Sequence, residues 1–175
     1  MTETNRLFTL AQRPTGKPDD ETFELREEPR PTPGDGEVLL RTLYLSVDPY
    51  MRGRMSAADS YAEPWEVGEP LEGGVVAEVV ESNSPTLAAG DVVTGELQWA
   101  EYAVAKPDEL RQIDPEQAPI STALGILGMT GITAYFGTRE IAEPADGETF
   151  VYDTCWRAPG VALSAVGAFV TGLIS

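Results

Sequence analysis

No regular element can cross residues 29–37, PRPTPGDGE, where three prolines and two glycines fall within nine positions. Proline lacks the N–H that both helix and sheet ladders need, and glycine favours turns. The chain around this block is therefore confined to short pieces. Most of these pieces alternate apolar and polar residues, the two-residue period of a half-buried strand. Arg6 to Gln12 and Thr22 to Glu28 are candidate strands, separated by a turn-rich segment from Pro14 to Asp20. Glu37 to Val47, EVLLRTLYLSV, is a longer strand rich in large apolar residues. Asp48 to Pro70 is an excursion with turn residues and aromatics expected to be exposed at Tyr61 and Trp65. GGVVAEVVESN from Gly73 is strongly β, its glycine pair marking a bulge or a close backbone approach. AAGDVVTGELQWAEYAVAK supplies two more strands around a turn at Gly95. This succession predicts a compact β-barrel or sandwich of roughly 110 residues.

The pattern changes near Pro119. Ser121 to Gly128 and Thr130 to Ile141 carry helical spacing, with Ile132, Tyr135 and Phe136 on one face. Pro144 and the Asp146-Gly147 turn lead to a further strand from Glu148 to Tyr152. Expected divisions are therefore residues 1–118 as the barrel, 119–147 as a helical bridge, and 148–175 as the start of an α/β domain. Twenty-seven residues follow Glu148, where that strand starts, too few for the several βαβ units of a Rossmann domain.

Composition narrows the chemistry. The chain of 175 residues has no histidine and a single cysteine, Cys155. Zinc sites usually draw on Cys and His, so no metal centre is expected, nor a Ser-His-Asp or Cys-His nucleophile. Cys155 can form no internal disulfide, and a reducing cytoplasm is the expected setting. It is read as incidental rather than reactive. The start, MTETNRLFTL, has no charged leader followed by an apolar run, so no signal peptide is expected. Twenty-nine acidic against twelve basic residues give a net charge of -17, which disfavours nucleic acid and anionic membrane as partners. Only Lys17 and Lys106 are lysines. Scarce lysine with abundant carboxylate resembles the proteins of salt-accumulating, halophilic organisms, whose salt screens self-repulsion.

Residues 43–55, LYLSVDPYMRGRM, run a strand into Asp48-Pro49, where proline ends the hydrogen-bond ladder and presents Tyr50, Met51 and Arg52. Taken alone, this could be a turn that only closes a barrel. In order along the chain come PTPGDGEVLLRTLYLSVDPYMRGRM, GGVVAEVVESN, AAGDVV, LGILGMTGITAYFG and PADGET. Together these motifs resemble the zinc-independent branch of the medium-chain dehydrogenase/reductase superfamily. That branch contains prostaglandin reductases, plant alkenal double-bond reductases and bacterial curcumin reductases. The resemblance covers about Arg6 to Thr149.

The resemblance implies a mainly β fold with some α. A GroES-like, partly open β-barrel is followed by a helical bridge and the first strand of a truncated Rossmann domain. It implies NADPH as cofactor, no zinc, and a small enone or enal as substrate. Pro49 and Tyr50 would approach the nicotinamide, as would Thr133 from the helix of residues 131–136. Tyr50, Met51 and Tyr61 would face the substrate. No catalytic residue is assigned within this chain, because the family's enolate-stabilising tyrosine lies in the second domain. Arg52 and Arg54 are expected as ion-pair partners of the abundant carboxylates. Thr130 stands where the family has proline, and is expected to cap the helix instead.

After Thr149 the expected glycine-rich turn is missing. Gly160, Gly167 and Gly172 lack the G-x-G-x-x-G spacing that brings backbone N–H groups onto a pyrophosphate. A frameshift or truncation between Phe150 and Asp153 is the expected cause, leaving a chain that is inactive by itself. The alternative is a non-enzymatic GroES-like module for oligomerisation or interaction, self-associating through an exposed apolar interface.

Overall fold

The computed structural model describes residues 4–57, 63–145 and 147. The expected strand within 148–152, Tyr61 and Cys155 lie outside the described residues. The chain divides into two compact units, Met1–Ser121 and Thr122–Ser175.

Among the described residues, the first unit has seven antiparallel strands in two sheets. Strand β1 (Thr4–Leu10) pairs with β2 (Phe23–Pro29), in register from Thr4 opposite Pro29 to Leu10 opposite Phe23. The larger sheet has the order β6-β3-β4-β5-β7, formed by β3 (Val38–Leu45), β4 (Glu72–Ser82), β5 (Val92–Gln98), β6 (Tyr102–Ala105) and β7 (Arg111–Ile113). The two sheets join through β1. Its Phe8 N–H donates to Trp99 O at 2.9 Å, and Leu71 N–H donates to Phe8 O at 2.9 Å. Bridges Leu7–Ala100 and Thr9–Pro70 continue the seam, which curls the sheets into the expected partly open barrel.

Alternation explains which side of β1 is buried. Asn5, Leu7 and Thr9 point inward, whereas Arg6 and Phe8 are exposed. The buried Asn5 amide costs little because it is paired twice with Tyr102. Its Nδ2 donates to Tyr102 O, and its Oδ1 accepts from Tyr102 N–H, both at 2.9 Å. The barrel core gathers Val38, Leu40, Val75, Ala77, Val79, Leu87, Val93, Leu97 and Ala105. Each large side chain so buried contributes about 1.5–3 kcal/mol relative to exposure. The PGDG block turns tightly before β3. Gly36 adopts φ +78°, and the Glu37 carboxylate accepts the Gly34 N–H at 2.9 Å.

Two expectations are corrected here, and one left open is resolved. Gly95 lies inside β5 rather than at a turn, and the chain reverses at residues 99–101 instead. A Cβ at Gly95 would stand 3.0 Å from Glu109 O and 3.0 Å from a Leu110 methyl, so this glycine admits a close crossing. Glycine looks the same in sequence whichever of those two jobs it does. Trp65, expected to be exposed, is only 3% accessible, because the excursion folds back and Trp65 N–H donates to Arg54 O at 2.8 Å. The glycine pair of β4 is a close approach rather than a bulge. Pairing with β5 is regular from Glu72 to Glu78, and a Cβ at Gly73 would overlap the Met51 methyl.

The second unit holds the end of a 3-10 turn (Ile120–Leu124), helix α2 (Met129–Phe136) and a π-helical continuation (Gly137–Ala142). A Cβ at Gly131 would overlap the backbone of Ile126, so only glycine lets the helix start this close to the preceding turn. Thr130 does not cap α2. Gly128 is the N-cap, and Thr130 Oγ1 donates backwards to Gly125 O at 2.8 Å. Leu127, Met129, Ile132, Tyr135, Phe136 and Ile141 are exposed.

Candidate functional site

Strand β3 stops at Leu45, and Pro49 precludes a ladder bond where the chain turns outward. The turn then winds into a single helical turn, α1 (Met51–Arg54). Met51 N–H donates to Asp48 O at 3.1 Å, and Arg54 N–H donates to Tyr50 O at 3.3 Å. Pro49 is exposed and Tyr50 half-buried.

Met51 is the anchor of this turn. It is 2% accessible and packs in a cluster with Leu10, Met55, Trp65 and Leu71, flanked by Phe23, Tyr50 and Trp99. Its side chain therefore lies beneath the turn, while Pro49 and Tyr50 form the outer surface. Met51 Sδ also accepts the Asp48 N–H at 3.3 Å, tying the side chain back to the start of the turn.

The two arginines differ. Arg54 is paired as expected, with Nη2 3.2 Å from Glu72 Oε2. Its Nε donates to Glu63 O at 3.0 Å, and its guanidinium lies 4.9 Å from the Trp65 ring centroid. Arg52, expected in an ion pair, instead donates to backbone oxygens, reaching Gly16 O at 2.7 Å and Pro14 O at 3.3 Å. The loop of turn residues before β2 presents those carbonyls, which a carboxylate count does not reveal.

The surroundings of Tyr50 are acidic. Burial holds its phenol above the usual tyrosine range, the Glu96 carboxylate adds to that, and Arg54 opposes it. Glu96 is itself raised, first by burial, with Asp48 and Glu72 adding repulsion and Arg54 countering. Glu96 is an exposed residue overall. Both shifts point the same way, and Tyr50 is a neutral O–H at pH 7. It can therefore donate one hydrogen bond and accept another.

Thr133 sits on α2 in the second unit and is exposed. The turn thus brings together Pro49, Tyr50 and Met51, while Thr133 belongs to the other unit and Tyr61 is outside the described residues. Sequence reading missed Glu96 and Trp65 as neighbours of the turn. Among the described residues, no group of three or more Cys, Asp and Glu could hold a metal ion. No described helix is long and apolar enough to cross a membrane. A recess of about 440 Å3 lined by Thr4, Arg41, Thr42, Glu101 and Tyr102 includes none of the expected site residues. Its charges are internally paired, Arg41 with Glu78 at 2.6 Å and Glu101 with Arg6.

Residues 6–113 match the family described as the N-terminal domain of oxidoreductase. The chain belongs to this family. It is 45% identical over 163 residues to the NADPH-dependent curcumin reductase of Escherichia coli, covering 93% of this chain and 47% of that protein. It is 37% identical over 177 residues to the NADP(+)-dependent 2-alkenal reductase of Nicotiana tabacum, covering 96% of this chain and 52% of that one. Among solved structures, CurA from Vibrio vulnificus superposes with a TM-score of 0.76 at 44% identity, over 82% of this chain and 42% of CurA. CurA has also been solved in complex with NADPH, and that structure superposes equally well. The chain spans about half the length of the relatives it matches. These relatives bear out the sequence resemblance to the reductase branch and the GroES-like fold that it implied.

Proposed function

We propose that this chain forms the β-barrel wall of an NADPH-dependent reductase acting on activated carbon–carbon double bonds. What supports this reading is the likeness of the chain to the NADPH-dependent curcumin reductase and the 2-alkenal reductase, and to CurA, which has been solved with NADPH. When bound, NADPH supplies hydride to the β-carbon of an enone or enal, and charge develops on the carbonyl oxygen. No metal is needed if hydroxyl donors stabilise that oxygen.

The residues fit the nicotinamide end of such a cofactor and not its phosphates. Asp48, Glu72 and Glu96 surround the turn and would repel a pyrophosphate, whereas a nicotinamide carries no negative charge. Pro49 and Tyr50 offer the outer surface, with Met51 supporting them from the core. By the resemblance alone, Thr133 would approach the nicotinamide and Tyr61 the substrate.

The test is NADPH oxidation in the presence of an enone, measured with this chain alone and with the cofactor-binding half of CurA added. Turnover should require the added half and stop when either component is omitted. Absence of turnover from a folded, NADPH-binding complex would remove the reading and favour a non-enzymatic interaction module, for which the exposed apolar residues of the second unit speak.

The acidic surface extends the proposal to setting. A net charge of -17 with two lysines suits a cytoplasm rich in salt. The melting temperature should rise by roughly 5 °C or more between about 0.05 M and about 2 M KCl, as self-repulsion is screened. A melting curve insensitive to KCl would contradict it.

A further inference from the structure

Helix α2 is exposed where its composition calls for cover. It runs for eight residues, MTGITAYF, and continues into the π-helical turn Gly137–Ala142, and neither stretch has a buried residue. Isolated helices below about 12–15 residues are marginal in water even when rich in alanine. Gly131 and the β-branched Thr130, Ile132 and Thr133 lower the helical preference further. Packing against a partner must therefore supply what local preference lacks. The segment is also stripped of charge. No Asp, Glu, Lys or Arg occurs from Gln117 to Thr138, the longest such run in a chain of net charge -17. The centres of protein interfaces are likewise depleted of charge and enriched in aromatics and methionine. Met129, Ile132, Tyr135 and Phe136 have that composition, each 44–79% accessible.

We propose that two copies of this chain associate through α2, the helices crossing antiparallel near Tyr135 and burying Met129, Ile132, Tyr135 and Phe136 of each copy. Two-fold symmetry makes such a contact self-complementary. With the axis at Tyr135, Met129 of one copy lies beside Ile141 of the other, which matches the apolar row along its length. Arg139, Glu140 and Glu143 then meet the uncharged residues 127–131 of the other copy, so no like charges oppose each other. The area suffices. With Leu127 and Ile141, the six exposed side chains offer roughly 700 Å2 per copy, against ~800 Å2 per partner in a standard interface. A charged occupant would leave its charges desolvated and unpaired on this face. A second copy brings an uncharged one. The acidic excess lies elsewhere on each chain, so association strengthens as salt screens the repulsion between copies. Thr133, one turn from Met129, lies on the same face and is covered with it. The proposal rests on this face and not on the reductase reading.

Sedimentation equilibrium of the full chain in about 1 M KCl, where the repulsion is screened, tests it. The mass should rise from 18.8 kDa to twice that value across about 1–100 μM, the weak end for an interface of this size. Phe136→Glu should weaken the dimer by at least about a hundredfold, since each dimer carries the change twice. Leu25→Glu, at an apolar residue of β2 that is 53% accessible, should leave the dimer as tight as in the parent. If Phe136→Glu does not fold, Met129→Glu decides in the same way, its side chain being 79% accessible. A parent chain that stays monomeric, or assembles beyond two copies, overturns the proposal. So does a dimer weakened equally by Leu25→Glu, or untouched by the substitution on α2. Hydrogen exchange of residues 129–142 supplies the second readout, and protection there should grow with protein concentration. Full protection already present in the monomer would assign the cover to residues 148–175 of the same chain and overturn the proposal.

Discussion

Trp65→Ala should lower the stability of the barrel by about 3–5 kcal/mol, the range for removing a large buried aromatic. Thermal unfolding would drop by about 10 °C for a chain of this size. Trp65 is 3% accessible, meets Trp99 edge-on with ring centroids 6.4 Å apart, and lies under the Arg54 guanidinium. The cavity would open beneath Met51 and Arg54 together, so the turn bearing Tyr50 loses its support from two sides. Trp65→Phe should cost far less. Among the described residues the Trp65 indole N–H has no hydrogen-bond partner, so phenylalanine removes a buried donor that gained nothing. Differential scanning calorimetry of both variants checks the pair. Equal losses for Ala and Phe would show that the indole N–H does have a partner.

Gly73→Val should cost about 1–3 kcal/mol, lowering the melting temperature by roughly 5 °C. A Cβ there would overlap the Met51 methyl and come within 3.0 Å of Trp99 Nε1, with Ser46 O at 3.6 Å. The Met51 methyl can swing away, but the indole and the strand backbone cannot easily follow. The result is a displaced Met51, and with it a displaced Tyr50. Gly16→Val is the control, since nothing lies within 4 Å of a Cβ at that position. It should stay within about 0.5 kcal/mol of the parent, the usual range for a surface change. A Gly73 variant as stable as the Gly16 one would mean that β4 does not hold the turn from behind.

Some strands of the first unit, such as β6, were legible because burial on one face leaves a two-residue alternation, whereas β2 and β3 do not alternate in burial. On β1 the alternation is only partly visible, because the buried face carries polar Asn5 and Thr9 beside Leu7 and the exposed face carries Phe8 beside Arg6. Strand β7 (Arg111–Ile113), three residues long, is too short to show a period. Glycines were harder. Gly73 and Gly95 both admit another part of the chain, but a sequence shows the missing side chain and not what comes close to it. The site was legible only in part. The resemblance pointed to Pro49 and Tyr50, and the turn chemistry of Asp48-Pro49 explains why they face outward. The surroundings were hidden because they are assembled from afar. Glu72, Glu96 and Trp65 reach the turn from β4, β5 and a loop, and no local pattern links them to Tyr50. Trp65 shows the same effect in reverse, as a turn-rich segment that folds back to bury its aromatic.

The most direct measurement labels this chain with 3-fluorotyrosine and follows the Tyr50 19F resonance in its complex with the cofactor-binding half of CurA, as NADP+ is added. Tyr50 should shift as the cofactor saturates, while Tyr44 and Tyr102, on β3 and β6, stay in place. Saturated cofactor with an unmoved Tyr50 resonance would contradict the claim that this turn faces the nicotinamide.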